Sequence, residues 1–259
     1  MNEHSQRAGA STPSLIAVAH GTRCAMGQAQ VRRLVDTVRR RRPGLDVHLA
    51  YLDIERPHVR AAALRLGRPA VAVPLLFTAG YHVRADLPAA LHSTRATAAP
   101  PLGPDPALTT ALLARLDEAG ALAADGFVLA AAGSREPSAR ADVRLVATDL
   151  AAATSRPVLA GYASAATPRV ATAVAALRAA GARRVAIAPL LLADGQFHQS
   201  LLAGGGDAVA PPLGDHPAVV DLILRRHAAA AHVMSSSQTR VTVGAASPAP
   251  RHSRLSSML

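Results

Sequence analysis

The sequence predicts an α/β protein made of two tandem homologous domains, each a small parallel sheet flanked by helices. Runs rich in Val, Ile and Leu alternate with longer stretches of helical spacing, the pattern of β-α units that feed a parallel sheet. The chain also repeats itself at an offset of about 111 residues. Its composition, 50% hydrophobic and 17% charged, supplies a buried core and excludes a wholly disordered chain.

The elements of the first half follow in order. Leu15 to Ala19 is a short apolar run that stops at His20-Gly21 and reads as a strand. Gln28 to Arg41 has helical spacing and closes on Arg39-Arg40-Arg41-Arg42, cations that suit a helix C-terminus. Asp46 to Leu52 reads as a strand, His58 to Leu66 as a helix and Ala70 to Leu76 as a strand. In open parallel sheets the ligand site lies beyond the carboxyl ends of the strands, so the residues just after these runs carry the interest.

The repeat fixes the second half. Ala99-Pro100-Pro101-Leu102-Gly103-Pro104 returns as Ala210-Pro211-Pro212-Leu213-Gly214-Asp215. Leu15-Ile16-Ala17-Val18-Ala19 before His20-Gly21-Thr22-Arg23 matches Phe127-Val128-Leu129-Ala130-Ala131 before Ala132-Gly133-Ser134-Arg135, Pro57 matches Pro168, and Val73-Pro74-Leu75-Leu76 matches Ala188-Pro189-Leu190-Leu191. The expected organisation is a disordered N-terminus over 1–13, domains over 14–120 and 121–232, and a disordered tail over 233–259, where Ser, Ala, Pro and Arg lack a sustained apolar period.

Composition narrows the function. Aromatic residues make up 2% of the 259, with no Trp, which argues against base-stacking single-strand binders. The single Cys24 excludes an internal disulfide and multi-cysteine metal sites and fits a reducing cytoplasm. The net charge of +11 comes from 28 basic residues, all Arg, against 17 acidic ones. Such a balance favours an anionic ligand. Such a ligand could be nucleic acid, an acidic membrane or a small polycarboxylate, and because the arginines are scattered nucleic acid is not expected. No run is apolar and long enough to span a membrane, and Met1 to Pro13 lacks the apolar centre of a signal peptide, so neither a membrane nor export is expected. No GxGxxG or GxxxxGK[ST] follows a strand.

Differences between the two copies mark candidate chemistry, because a residue needed only for folding tends to appear in both. Copy one has His20 where copy two has Ala132, and Asp53 where copy two has Ser164. Gly80-Tyr81-His82 aligns with Gly195-Gln196-Phe197, or, after a slip of one residue, His82 aligns with His198. His20, Asp53 and His82 can therefore converge at three strand ends, and two imidazoles with a carboxylate suit a borderline divalent metal. Each has an ordinary structural role open to it as a cap or turn residue; their joint loss in copy two favours the functional one. His198 is a candidate wall residue, and Gly21 and Gly80 would let a ligand approach the backbone.

The segments His20-Gly21-Thr22, Tyr51-Leu52-Asp53 to Pro57, and Pro74 to Pro88 with its Gly80-x-His82-x-x-x-Asp86-Leu87-Pro88 core resemble the class II tetrapyrrole chelatases of the CbiX/SirB sirohydrochlorin type, in their long two-domain form. The resemblance spans both halves, from about Leu15 to His227. It implies a cleft between the domains, metal-binding histidines at His20 and His82, and insertion of Fe²⁺ into sirohydrochlorin to give siroheme. The divalent metal is then a substrate, and no organic cofactor is implied. The family usually has Glu where this chain has Asp53, so Asp53 or Glu55 is the acid expected to assist. Arg23, Arg84 and Arg135 are candidate partners for the carboxylates of the macrocycle, by charge-assisted pairing. Cobalt insertion for cobalamin synthesis, and a carrier that binds without turnover, are the alternatives.

Overall fold

The first apolar run forms β1 (Ser14–Ala19), all six residues of which are buried, in a computed structural model that describes residues 12–244. β1 pairs in parallel with β2 (Val47–Tyr51) and β3 (Ala70–Pro74), and β3 pairs with β4 (Ala96–Ala98), giving the order β2-β1-β3-β4. The register sets Ala19 against Tyr51 and Val18 against Pro74, so the three inner strands end at one edge of the sheet.

Between the strands lie α1 (Ala25–Arg41), α2 (Val59–Leu66) and α3 (Leu87–Leu91). Helix α1 buries Gly27, Val31, Leu34, Val35 and Val38, a stripe at helical spacing, and ends in three arginines beside its exposed carbonyls. Helix α2 starts at His58, whose side chain accepts from the Arg60 N–H, and stops at Gly67 in the left-handed conformation.

After α4 (Pro106–Glu118) the pattern repeats as β5 (Gly126–Ala131), α5 (Pro137–Thr154), β6 (Val158–Tyr162), α6 (Val170–Ala179), β7 (Val185–Pro189), α7 (Gln196–Leu202), β8 (Ala208–Val209) and α8 (Pro217–Gly244). The second sheet is also parallel, in the equivalent order β6-β5-β7-β8. Both sheets carry the same extra bridge beyond their second strand, Tyr51 with His58 and Tyr162 with Arg169.

The two lobes exchange their last helices. Helix α4 packs on α5 and β7 of the second lobe, whereas α8 returns to lie against α1, β3 and β4 of the first. Val219, Val220, Leu222 and Ile223 of α8 are buried there, each worth about 1.5–3 kcal/mol on removal from water. The polar face of α8 docks on the same lobe. Asp221 takes a two-pronged pair from Arg41 at 3.0 and 3.1 Å, Arg226 donates to the Pro101 and Leu102 carbonyls, and His227 Nε2 reaches the Pro13 carbonyl at 2.9 Å. The inner faces of both sheets thus share one apolar core, which runs from Leu15 and Leu34 through Leu112 to Phe127, Val146 and Ile223. Smaller clusters lie under α2 and α3 on one side and under α6 on the other.

The helix exchange means that the compact lobes differ from the sequence repeats, each lobe being closed by the other repeat's last helix. The tail also departs from expectation. Helix α8 continues twelve residues past His232 to Gly244, because extending a helix that is already nucleated and docked costs little beyond its anchored turns. Residues 1–11 and 245–259, the rest of the segments expected to be disordered, lie outside the described residues.

Candidate active site

At the shared strand edge, β1 runs into His20-Gly21. Gly21 has φ +98° and its counterpart Gly133 has φ +101°, so the repeated glycine preserves a turn that side-chain-bearing residues rarely adopt. The turn persists in both copies, but the imidazole stands in one. After β3 the chain crosses Phe77 to Gly80 and enters a single π-helical turn, His82–Asp86, which runs directly into α3.

His20 and His82 meet there. Their Nε2 atoms are 3.1 Å apart and their rings stand edge to face, with centroids 4.5 Å apart. Two Nε2 atoms with metal bonds of about 2.1 Å each would subtend about 95° at a shared ion, between the octahedral and tetrahedral values. The far nitrogens are also occupied: Asp86 Oδ2 lies 2.6 Å from His82 Nδ1, and the Gly21 carbonyl 3.4 Å from His20 Nδ1. Among the described residues no group of three or more His, Cys, Asp and Glu is arranged to hold a metal ion, so any ion on this pair keeps most of its coordination positions for other ligands.

Both histidines open into a cavity of about 720 Å³ between the lobes, within the range of small-molecule sites. Ile54, Tyr81 and Phe197 line it while remaining 42%, 61% and 43% exposed, an apolar rim suited to the face of a large flat ligand.

The expected acids are not in this cavity. Asp53 is exposed and absent from the lining, because the chain turns after Leu52 and points its side chain to solvent. Glu55 turns back under the His20 loop instead, where its Oε1 accepts from the Thr22 N–H at 3.0 Å and its carboxylate lies near the Tyr51 phenol. Burial, followed by the Glu55 charge, pushes the Tyr51 phenol above its usual range. Glu55 therefore braces the loop that carries His20.

The expected arginines divide. Arg23 and Gly80 line the cavity. Arg84 is exposed and donates to Ser138 Oγ at 3.1 Å across the lobe seam, and Arg135 is exposed outside the lining. Arg140 of α5, absent from the sequence expectations, lines the cavity from the second lobe. It stands where copy one has Gln28, so the asymmetry that marks His20, taken in the opposite direction, marks Arg140.

Backbone bonds decide the register left open by the sequence. The Arg84 N–H donates to the Gly80 carbonyl and the Gln199 N–H to the Gly195 carbonyl, which equates Gly80 with Gly195 and His82 with Phe197. His198 is thus not the counterpart of His82. It lines the cavity with its ring held between Asp194, at 2.6 Å from Nδ1, and the Ala210 carbonyl, at 3.3 Å from Nε2. In the second lobe Ala132, Phe197 and Leu201 replace His20, His82 and Asp86, leaving an apolar wall opposite the imidazoles.

A pair of equivalent contacts spans the seam. The Ala79 N–H donates to Asp142 of α5 at 2.8 Å, and the Asp194 N–H donates to Gln30 of α1 at 2.6 Å, with Gln30 Nε2 returning a bond to Asp194 Oδ2 at 2.6 Å. Each post-strand loop is tied to the opposite lobe's helix, so the histidine loop is placed by both halves of the molecule.

A family model described as CbiX matches residues 14–119 and again 126–230. The chain belongs to the CbiX family. Its fold is also that of solved structures. SirB from Bacillus subtilis with Fe³⁺ aligns at 20% identity and TM-score 0.68, over 83% of this chain and 94% of that one. The sirohydrochlorin chelatase SirB from Bacillus subtilis subspecies spizizenii in complex with cobalt aligns at 18% identity and TM-score 0.69, over 85% and 96%. CbiX described as the terminal enzyme for siroheme biosynthesis in denitrifying bacteria aligns at 25% identity and TM-score 0.63, over 84% and 99%. No curated protein matches this CbiX chain by sequence. No helix among the described residues is long and apolar enough to cross a membrane.

Proposed function

We propose that this CbiX-family protein is a sirohydrochlorin chelatase that inserts Fe²⁺ into the macrocycle to form siroheme. The observation that carries the reading is the His20–His82 pair, with Nε2 atoms 3.1 Å apart at the mouth of an interlobe cavity. The reaction exchanges two pyrrole N–H protons for one divalent ion, so the site must deliver a cation and accept two protons. A pair of imidazoles suits both tasks near neutrality. In the unliganded pair one Nε2–H must donate to the other Nε2. With His82 Nδ1 committed to Asp86, His20 Nε2 is the donor, and when an ion takes that nitrogen the hydrogen would move to His20 Nδ1, which faces the Gly21 carbonyl as acceptor.

Two protein ligands leave an ion open to the incoming pyrrole nitrogens. The macrocycle would lie between the imidazoles and the apolar wall of Ala132 and Phe197, with Arg23 and Arg140 meeting its carboxylates from opposite lobes. Cobalt is the second reading, and the cobalt complex of a SirB of the same fold favours it. The test is absorption spectroscopy of sirohydrochlorin mixed with the protein and either Fe²⁺ or Co²⁺. Faster metallation than the metal-only control is expected, fastest with Fe²⁺, and the rate should collapse in His20→Ala and His82→Ala. No acceleration with either ion would leave a carrier in place of an enzyme. Full activity in both variants would remove the site assignment.

A further inference from the structure

We infer that Asp86 is the positioning residue of the metal site, acting through His82 to present Nε2 to the ion; the inference rests on the chelatase reading. Asp86 Oδ2 is 2.6 Å from His82 Nδ1, shorter than the 3.1 Å between the two Nε2 atoms and the 3.4 Å from His20 Nδ1 to the Gly21 carbonyl. A carboxylate accepts hydrogen bonds and offers none, so this contact keeps the ring hydrogen on Nδ1 and the lone pair on Nε2, the nitrogen that faces His20. The backbone holds the geometry. Residues 82 and 86 begin and end the π-helical turn, closed by the Leu87 N–H on the His82 carbonyl, a form that tends to appear where a side chain must be aimed.

Two further observations set Asp86 apart from a surface ion pair. It is absent from the cavity lining, so it reaches the reaction only through the ring it holds, and neither Asp53 nor Glu55 is placed to do the same. The second lobe has lost the pair as a unit, with Phe197 and buried Leu201 at the two positions. Both side chains are substantially exposed, 44% for His82 and 39% for Asp86, so their bond contributes little to folding and its removal falls on the metal.

The experiment uses the full chain with Co²⁺ as a visible-absorbance probe, together with steady-state metallation of sirohydrochlorin. Asp86→Ala and Asp86→Asn are expected to weaken Co²⁺ binding and raise the KM for metal by roughly ten- to a hundredfold. The KM for sirohydrochlorin and the thermal midpoint should stay near wild type, and Asp86→Glu should recover part of the loss. Metal affinity within twofold of wild type in both variants, while His82→Ala abolishes it, overturns the role of Asp86 and leaves the chelatase reading standing. Equal losses toward metal and macrocycle, or a collapsed thermal midpoint, assign Asp86 a structural role and overturn the inference. Absence of metal binding and metallation in wild type overturns both.

Discussion

Gly27 lies in the first turn of α1, buried against the second lobe, and a β-carbon built there falls 2.1 Å from the Asp194 carbonyl oxygen and 3.1 Å from Thr22 Cγ2. Ordinary carbon–oxygen contact needs more than an additional 1 Å, by about the sum of van der Waals radii. Gly27→Ala must therefore push α1 away from the 194 loop. That movement strains both hydrogen bonds between Gln30 and Asp194, each 2.6 Å long. Overpacking costs about 1–3 kcal/mol and the loss of one of the two bonds about 1 kcal/mol, so a total near 2–4 kcal/mol is expected. For a chain of this size that lowers the thermal midpoint by roughly 4–16 °C. The larger effect should be on turnover, because the moved loops carry the Thr22 turn beside His20 and the Phe197 wall, and a displacement of about 1 Å can cost on the order of a hundredfold in rate. Differential scanning fluorimetry and the sirohydrochlorin absorbance assay measure the two quantities. Gly181→Ala is the control: it has φ +99° with nothing within 4 Å, so it pays backbone strain far from the seam. A Gly27→Ala protein with an unchanged midpoint and kcat/KM within twofold of wild type would refute the claim that this contact sets the cleft.

Asp53→Asn should keep metallation within about twofold of wild type, since the side chain is exposed outside the cavity, an ordinary surface substitution; steady-state rates check this. Glu55→Gln removes a negative charge beside Tyr51, so the phenol should titrate at lower pH than in wild type, read from tyrosinate absorbance. Arg140→Ala should raise the KM for sirohydrochlorin roughly tenfold, as loss of one charge-assisted contact, while Arg135→Ala should leave it near wild type. Burial holds His227 below its usual 6.5, the Pro13 carbonyl opposing this and the Arg42 charge adding to it. The unfolded chain therefore binds more protons between 6.5 and the lower folded value, and stability should fall as pH drops through that window. Thermal midpoints against pH should show a shallower acid slope in His227→Gln.

The strands were legible because each is a short apolar run ended by polar residues, and the observed β1, β2 and β3 lie within two residues of the expected bounds. The loss of His20 and His82 from copy two pointed to two side chains that do converge. The helix exchange was not legible, since α4 and α8 have the same apolar spacing whichever lobe they cover. Asp53 and Glu55 lie in a post-strand loop, where alternation no longer reports facing, and the turn there sends one to solvent and the other beneath the His20 loop. Arg140 was hidden because a helix period does not say which turn abuts a cleft formed by another lobe.

The traded helices also bear on the history of the chain. A polypeptide ending at residue 120 would carry α4 with no sheet of its own to cover and would leave β3 and β4 without the layer that α8 supplies. Such a half-length molecule could close its core only by swapping α4 with a second copy of itself. Joining two of them end to end would make that obligatory partnership intramolecular, after which one copy was free to give up its histidines.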